Sequence, residues 1–326
     1  MSAASTWHIL GAGALGGLLA ARLQLAGAAP MLILRDDATA AAARTAGITL
    51  FDGTTATTSP VSVATLTELN LCSPARLQGP VNRLILCTKA HHSLTALRSL
   101  GDQLSPTAHV LLMQNGMGVR EQLLAQWPEL TILHGVTTEA AWRRGRFEIV
   151  HAAHGQTLLA GVGTVTAGQH AVLEQLASLF NRAGIAAQVV ADCRPALWEK
   201  LVVNSVINPL TALHHCRNGE LADIPGVAEQ VRALCEEAAA VAQASGVPLQ
   251  TAALEARVLQ VRDATAANRS SMLQDVLAGR TTEIDFINGY IVREAERYGL
   301  AVPVQRSMWQ AVAALTRTVD ATDSAP

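Results

Sequence analysis

Lys200, Asn204 and Asn208 are spaced i, i+4, i+8, so on a helix they share one face. Leu201, Val202, Val203, Val206 and Ile207 fill the other directions, which predicts a largely buried helix. Asparagine is a poor interior helix former, and buried polar groups must find partners. One amine and two amides in this apolar setting face either a polar cleft, where they can bind a small molecule and hold a proton, or a compensating protein surface, where they form a structural ladder. Pro209 has no N–H and presses on the carbonyl of Ser205, so the helix is expected to end or kink there. A second polar run, Asn268-Arg269-Ser270-Ser271-Met272-Leu273-Gln274-Asp275, is followed by Thr282-Glu283-Ile284-Asp285. Serine and asparagine can hold a carboxylate with neutral donors, and Glu283 can accept a hydrogen bond from a hydroxyl. The plainer alternative is capping: Ser270 or Ser271 starts one helix and Thr282 the next, with Glu283 or Asp285 in its first turn.

At the other end of the chain, Gly11-Ala12-Gly13-Ala14-Leu15-Gly16 follows an apolar run and opens a helical one. That is the context of a dinucleotide-binding turn. Gly11 permits the tight turn, Gly13 lets backbone approach a pyrophosphate, and Gly16 allows helix and strand to pack closely. The helix start then offers unpaired N–H groups to phosphate. The second strand ends in Leu34, followed by Arg35, Asp36 and Asp37. An arginine there suits a ribose 2′-phosphate and an acid suits a 2′-hydroxyl. Arg35 favours NADPH, and the aspartates are then expected to cap the next helix.

These residues need a frame. Trp7–Leu10, Met31–Leu34, Arg83–Thr88 and His109–Met113 read as strands, with helices at Ala14–Ala26, Asp36–Ala46 and Ser93–Leu104. Apolar strands alternating with helices predict a mostly parallel, doubly wound Rossmann-type α/β sheet. Residues 131–160 carry shorter strand-like stretches, expected as an antiparallel extension. From Pro195 onward only helical periods appear, as in Val227–Ser245 and Glu283–Tyr298. The expected organisation is a nucleotide-binding domain over residues 1–191 and an all-α domain over 192–326, with a polar, frayed tail after Thr316.

Composition narrows the function classes. The 326 residues are 50% hydrophobic and 15% charged, with 24 Lys plus Arg against 26 Asp plus Glu. At roughly 150 residues per domain this is about two domains with ample core. A net charge of −2 offers no surplus for a phosphate backbone, so nucleic acid is not an expected partner. Arg143, Arg144 and Arg146 read as the exposed tip of a turn around Gly145. Cys72, Cys87, Cys193, Cys216 and Cys235 are scattered and odd in number, which indicates neither a disulfide framework nor a zinc site, and fits a reduced cytoplasmic setting. Trp7–Ala21 lacks charge but also lacks the basic start of a signal peptide, and no membrane span is expected. The ten histidines show no ligand spacing, and the adjacent His214 and His215 read as solvent or core residues.

Taken together, the chain resembles the ketopantoate reductase (2-dehydropantoate 2-reductase) family over nearly its whole length. The resemblance rests on the GAGALG turn, Thr88-Lys89-Ala90, Gln114-Asn115-Gly116-Met117-Gly118, the Lys200–Thr211 helix, Asn218-Gly219-Glu220, the Ser270–Asp275 run and Thr282–Tyr290. It implies NADPH-dependent reduction of ketopantoate to (R)-pantoate, with no metal and with Lys200 as general acid. It further implies that Glu283 and Ser271 contact substrate, with Asn115, Asn204, Asn208, Asn218 and Asn268 in the same pocket. Gly11 to Gly16, Arg35, Lys89, Asn115 and Glu283 would meet the cofactor. The His91-His92 pair after Lys89 departs from the family pattern, where Trp- or Gln-containing sequence is expected. A paralogous reductase of another 2-oxo acid is the nearest alternative, and a nucleotide-binding sensor without turnover the next. The long apolar helices of the second half suit a homodimer interface as readily as a core.

Overall fold

The computed structural model describes residues 6–71, 80–161, 163 and 165–322; Cys72 lies outside them. Two compact units emerge: residues up to Gln114 together with Val119–Cys193, and Asn115–Gly118 together with the chain from Arg194.

The first unit runs β1 (His8–Leu10), α1 (Ala14–Leu25), β2 (Met31–Leu34), α2 (Asp37–Ala46), β3 (Ile48–Asp52), β4 (Thr55–Ser59), β5 (Ser62–Thr65), α3 (Leu66–Leu71), β6 (Val81–Leu86), α4 (Ala90–Arg98), β7 (Leu104–Leu112), α5 (Val119–Gln126), β8 (Thr131–Thr137), β9 (Ala140–Gly145), β10 (Glu148–Ala153), β11 (Thr157–Ala160), α6 (Ala167–Arg182) and β12 (Ala187–Val189). Eight of these strands form one sheet in the order β12-β11-β8-β7-β6-β1-β2-β5. Every pairing in it is parallel except β11 with β8. Its central strands are near-continuous apolar runs, as burial on both faces requires; Ile9, Leu32, Ile85 and Leu111 are fully enclosed.

Two expectations change here. Residues 131–160 do not form one antiparallel extension: β8 continues the parallel sheet, while β9 and β10 leave it. They join β3 and β4 in a second sheet of order β4-β3-β10-β9. That sheet packs on α1, where Ile149 lies so close to Gly17 that a methyl group at 17 would meet it at 2.7 Å. With sheet on both sides, α1 is apolar nearly all round, which is why Ala14–Leu25 carries no charge but Arg22. The second change is local. The helix after Lys89 begins at Ala90 and ends at Arg98, and Leu104, expected as its last residue, instead starts β7. Leu104 faces inward there, and burial outweighs a short helical period.

The second unit is helical: α7 (Arg194–His214), α8 (Val227–Ala244), α9 (Thr251–Ala264), α10 (Ser271–Leu277), α11 (Asn288–Arg297) and α12 (Pro303–Thr322). Buried side chains of α7, α8 and α11 supply much of its core, among them Val202, Val206, Leu234, Ala238 and Ile291. The last helix continues to Thr322, past Thr316, where composition predicts fraying. Extending an existing helix fixes one residue per new bond, so a polar end can follow a packed start. No described helix is long and apolar enough to cross a membrane.

Candidate active site

Helix α7 keeps Lys200, Asn204 and Asn208 on one line, and the helix does not end at Pro209 but runs through it to His214. The reason is visible in the packing. A proline at 209 leaves the Ser205 carbonyl without its helical donor. Asn288, fully buried on α11, donates from Nδ2 to that carbonyl at 2.9 Å. The same Nδ2 also meets Gln305 Oε1 at 2.8 Å, and Gln305 Nε2 donates to the Leu234 carbonyl at 3.0 Å. The defect in α7 is thereby repaired from α11 and α12, and the polar row continues along a buried helix.

Within that row the three residues differ. Asn208 is buried. Asn204 is half-buried, and its Nδ2 is enclosed with no hydrogen-bond partner. An enclosed amide donor without a partner costs about 1–3 kcal/mol, a cost that a bound ligand or water accepting from it would remove. One turn earlier, burial pushes the Lys200 ammonium down to about 8, against a smaller opposing pull from the Glu283 carboxylate. Glu283 is itself only 5% exposed and stands at the start of the short 3-10 turn Ile284–Phe286. Lys200 therefore remains mostly protonated at neutral pH yet releases its proton far more readily than a free lysine, whose pKa is about 10.4.

The polar run after α9 resolves into separate roles. Ser270 is the N-cap of α10, accepting from Leu273 N–H at 3.1 Å and from the Thr211 hydroxyl at 2.7 Å. The capping alternative thus holds for Ser270, while Ser271 is the first helical residue and is exposed. Asn268 is exposed as well, and its carbonyl accepts from the Asn218 N–H at 3.0 Å. Asn218 is buried, donating from Nδ2 to Thr265 Oγ1 at 2.8 Å, with its Oδ1 enclosed and without a partner. Thr282 reaches the Ile284 N–H only at 3.5 Å, a weak cap. Asn115 belongs to this unit through its neighbours: Met117 N–H donates to the Phe286 carbonyl at 2.8 Å, and a Cβ at Gly116 (φ +81°) would overlap that same carbonyl. The sequence order gives no hint that these four residues leave the first unit.

In the first unit the glycine turn behaves as its spacing predicts. Gly11 has φ +110°, and a Cβ there would come within 2.8 Å of the Cys87 backbone; one at Gly16 would overlap the Gly11 carbonyl oxygen. Gly13 is different, with nothing closer than 4.0 Å to such a Cβ. It is also the N-cap of α1 without any side-chain cap. Ala12, Ala14 and Leu15 complete an open backbone cradle at a helix start, the form that accepts phosphate. At the end of β2, Arg35 is exposed and Asp36 caps α2, accepting from Thr39 N–H at 2.7 Å and from its hydroxyl at 2.8 Å. Lys89 is half-buried at the start of α4, and the rings of His91 and His92 meet edge to face in its first turn.

One cluster escaped sequence reasoning. Asp52, His151 and His154 bring ligand-type atoms within 4.8 Å of one another, although their spacing suggests nothing. Arg22 Nη2 stands 2.5 Å from Asp52 Oδ2 and 2.8 Å from His151 Nδ1, while His151 Nε2 meets Glu139. A guanidinium already supplies positive charge to this cluster.

Comparison with known proteins accords with the arrangement. Residues 7–163 match the family model described as Ketopantoate reductase PanE/ApbA, and residues 192–316 match its C-terminal counterpart. A 2-dehydropantoate 2-reductase of Yersinia pestis is 38% identical over 229 residues, 70% of this chain and 72% of that protein. Another, from Archaeoglobus fulgidus, is 32% identical over 304 residues, 92% of this chain and 94% of the relative. Among solved structures, the PanE/ApbA family ketopantoate reductase of Ralstonia eutropha JMP134 superposes with a TM-score of 0.84 at 26% identity, covering 97% and 99% of the two chains. The two family models span most of the chain, which therefore belongs to the ketopantoate reductase family.

Proposed function

We propose that this protein reduces 2-dehydropantoate to (R)-pantoate with NADPH. The observation that carries the reading is an enclosed, unpartnered amide donor on Asn204 one helical turn from an ammonium, Lys200, whose proton burial has loosened. Such a pair suits a 2-oxo acid, in which one oxygen must gain a proton while a carboxylate is held.

A nicotinamide cofactor fits the residues present. The backbone cradle from Gly11 to Gly16 would hold the pyrophosphate and Arg35 the 2′-phosphate, and Lys89, Asn115 and Glu283 would be further cofactor contacts. The bound cofactor supplies the hydride that C2 of the substrate receives. As negative charge grows on the C2 oxygen, the Lys200 Nζ stabilises it and gives up its proton, so that the ketone becomes a secondary alcohol. Lys200, left neutral, regains a proton from water. General-acid help of this kind contributes about 10²–10⁴-fold. The Glu283 carboxylate accepts a hydrogen bond from the substrate's own hydroxyl, and Asn204, Asn208, Asn268 and Ser271 offer neutral donors to its carboxylate, while Asn218, its Nδ2 engaged by Thr265, borders the pocket.

The test is NADPH oxidation followed at 340 nm with ketopantoate beside 2-oxoisovalerate, which lacks the hydroxyl. Turnover of ketopantoate, lost in Lys200→Ala, is the expected result. Glu283→Ala should depress kcat/KM for ketopantoate far more than for 2-oxoisovalerate. Equal losses would remove the hydroxyl-anchor role from Glu283, and binding of nucleotide with turnover of neither acid would send the search to another substrate.

A further inference from the structure

Arg146 lies in the turn between β9 and β10, in the arginine cluster that composition marks as a solvated face. Arg146 is exposed there, as that reading expects, and it also has a fixed partner. Its Nη2 donates to Thr39 Oγ1 at 2.6 Å, across 107 residues of sequence. Thr39 is the residue whose N–H and hydroxyl engage the two carboxylate oxygens of Asp36, and Asp36 directly follows Arg35 at the end of β2. Two guanidinium groups from distant segments thus converge on the same short stretch. The hydrogen bonds from Thr39 hold the Asp36 carboxyl below its ordinary range, and the fields of Arg146 and Arg35 push the same way.

The consequence concerns cofactor choice. At this place in a dinucleotide fold an acid accepts from the ribose 2′-hydroxyl, whereas an arginine meets a 2′-phosphate. Asp36 occupies the acid's position in sequence, yet both its oxygens are held by the helix it caps, and an arginine offsets its charge. Arg146 has five N–H donors and uses one on Thr39. Its guanidinium also lies 6.0 Å from the centre of the Phe147 ring.

We propose that Arg146 is a specificity-determining residue, acting with Arg35 as a two-arginine site for the 2′-phosphate that separates NADPH from NADH. The inference rests on the dinucleotide-binding reading given above. Calorimetric titration with 2′,5′-ADP and with 5′-AMP tests it without turnover. Wild-type protein should bind 2′,5′-ADP more tightly. Arg146→Gln should weaken 2′,5′-ADP roughly tenfold, the scale of one charge-assisted hydrogen bond, and leave 5′-AMP unchanged; Arg146→Lys should fall between. Equal weakening of both nucleotides would reduce Arg146 to a structural clamp, and unchanged 2′,5′-ADP affinity would remove it from the site. If wild-type protein binds both nucleotides equally, the NADPH reading itself fails, a result distinct from discrimination that survives in Arg146→Gln.

Discussion

Lys200 carries a pH signature that separates it from an ordinary lysine. A general acid must be protonated, so the rate should fall as pH rises through about 8, where an unshifted lysine would hold the plateau to about 10.4. Lys200→Arg cannot lose its proton in this range and should abolish that limb while slowing turnover; pH profiles of kcat/KM, which report the groups of the free enzyme, decide the matter for both proteins. Stability is tied to the same proton. The folded chain releases it near 8 and the unfolded chain near 10.5, so between those values the unfolded state binds more protons. Burial of the ammonium thus costs stability at neutral pH, and that cost is relieved as pH climbs through the window. Chemical denaturation at pH 8 and pH 10 should show this rise in wild-type protein and a smaller one in Lys200→Met.

At the scale of elements, the structure depends on two repairs. Helix α7 contains Pro209, and Asn288 answers the carbonyl it exposes. Asn288→Ala should cost about 1–3 kcal/mol, because the Ser205 carbonyl and Gln305 would both lose a buried donor. In a Pro209→Ala background residue 209 regains an N–H for the same carbonyl, so the cost of Asn288→Ala should shrink. A double-mutant cycle by urea denaturation measures the difference, and equal costs in both backgrounds would mean that the Asn288 bond does not serve the proline. The other repair is steric. Gly16 lets α1 start against the Gly11 carbonyl. Gly16→Ala should therefore displace the cradle and abolish measurable nucleotide binding in a fluorescence titration, while the helical signal of the second unit persists.

Across the whole molecule, each unit has its own core. One cluster of buried side chains draws only on residues 7–189 and the other on 198–313 with Met117. Separate cores make a single two-state unfolding transition a poor expectation. Calorimetry should show two transitions, and 2′,5′-ADP at a hundredfold excess over its Kd should stabilise the first unit alone by about 2.7 kcal/mol. One transition, or equal shifts in both, would show that the units unfold as one.

Much of this protein is written in local patterns. The strand–glycine-turn–helix at the start, the parallel alternation, the helical second half and the i, i+4, i+8 row of Lys200, Asn204 and Asn208 are legible because backbone geometry ties residue type to spacing within a few positions. The Asp36 cap is legible for the same reason. What depends on contacts between distant segments was not. The second sheet pairs β3 with β10, nearly a hundred residues apart. Asn115–Gly118 joins the helical unit through the Met117 backbone hydrogen bond, the packing of the Met117 side chain and the close approach of Gly116 and Gly118 to Phe286 and Tyr290, and the continuation of α7 through Pro209 depends on a side chain from α11. The shifted proton affinity of Lys200 belongs to this second group too, since residue type sets its charge but only packing sets how much water reaches it.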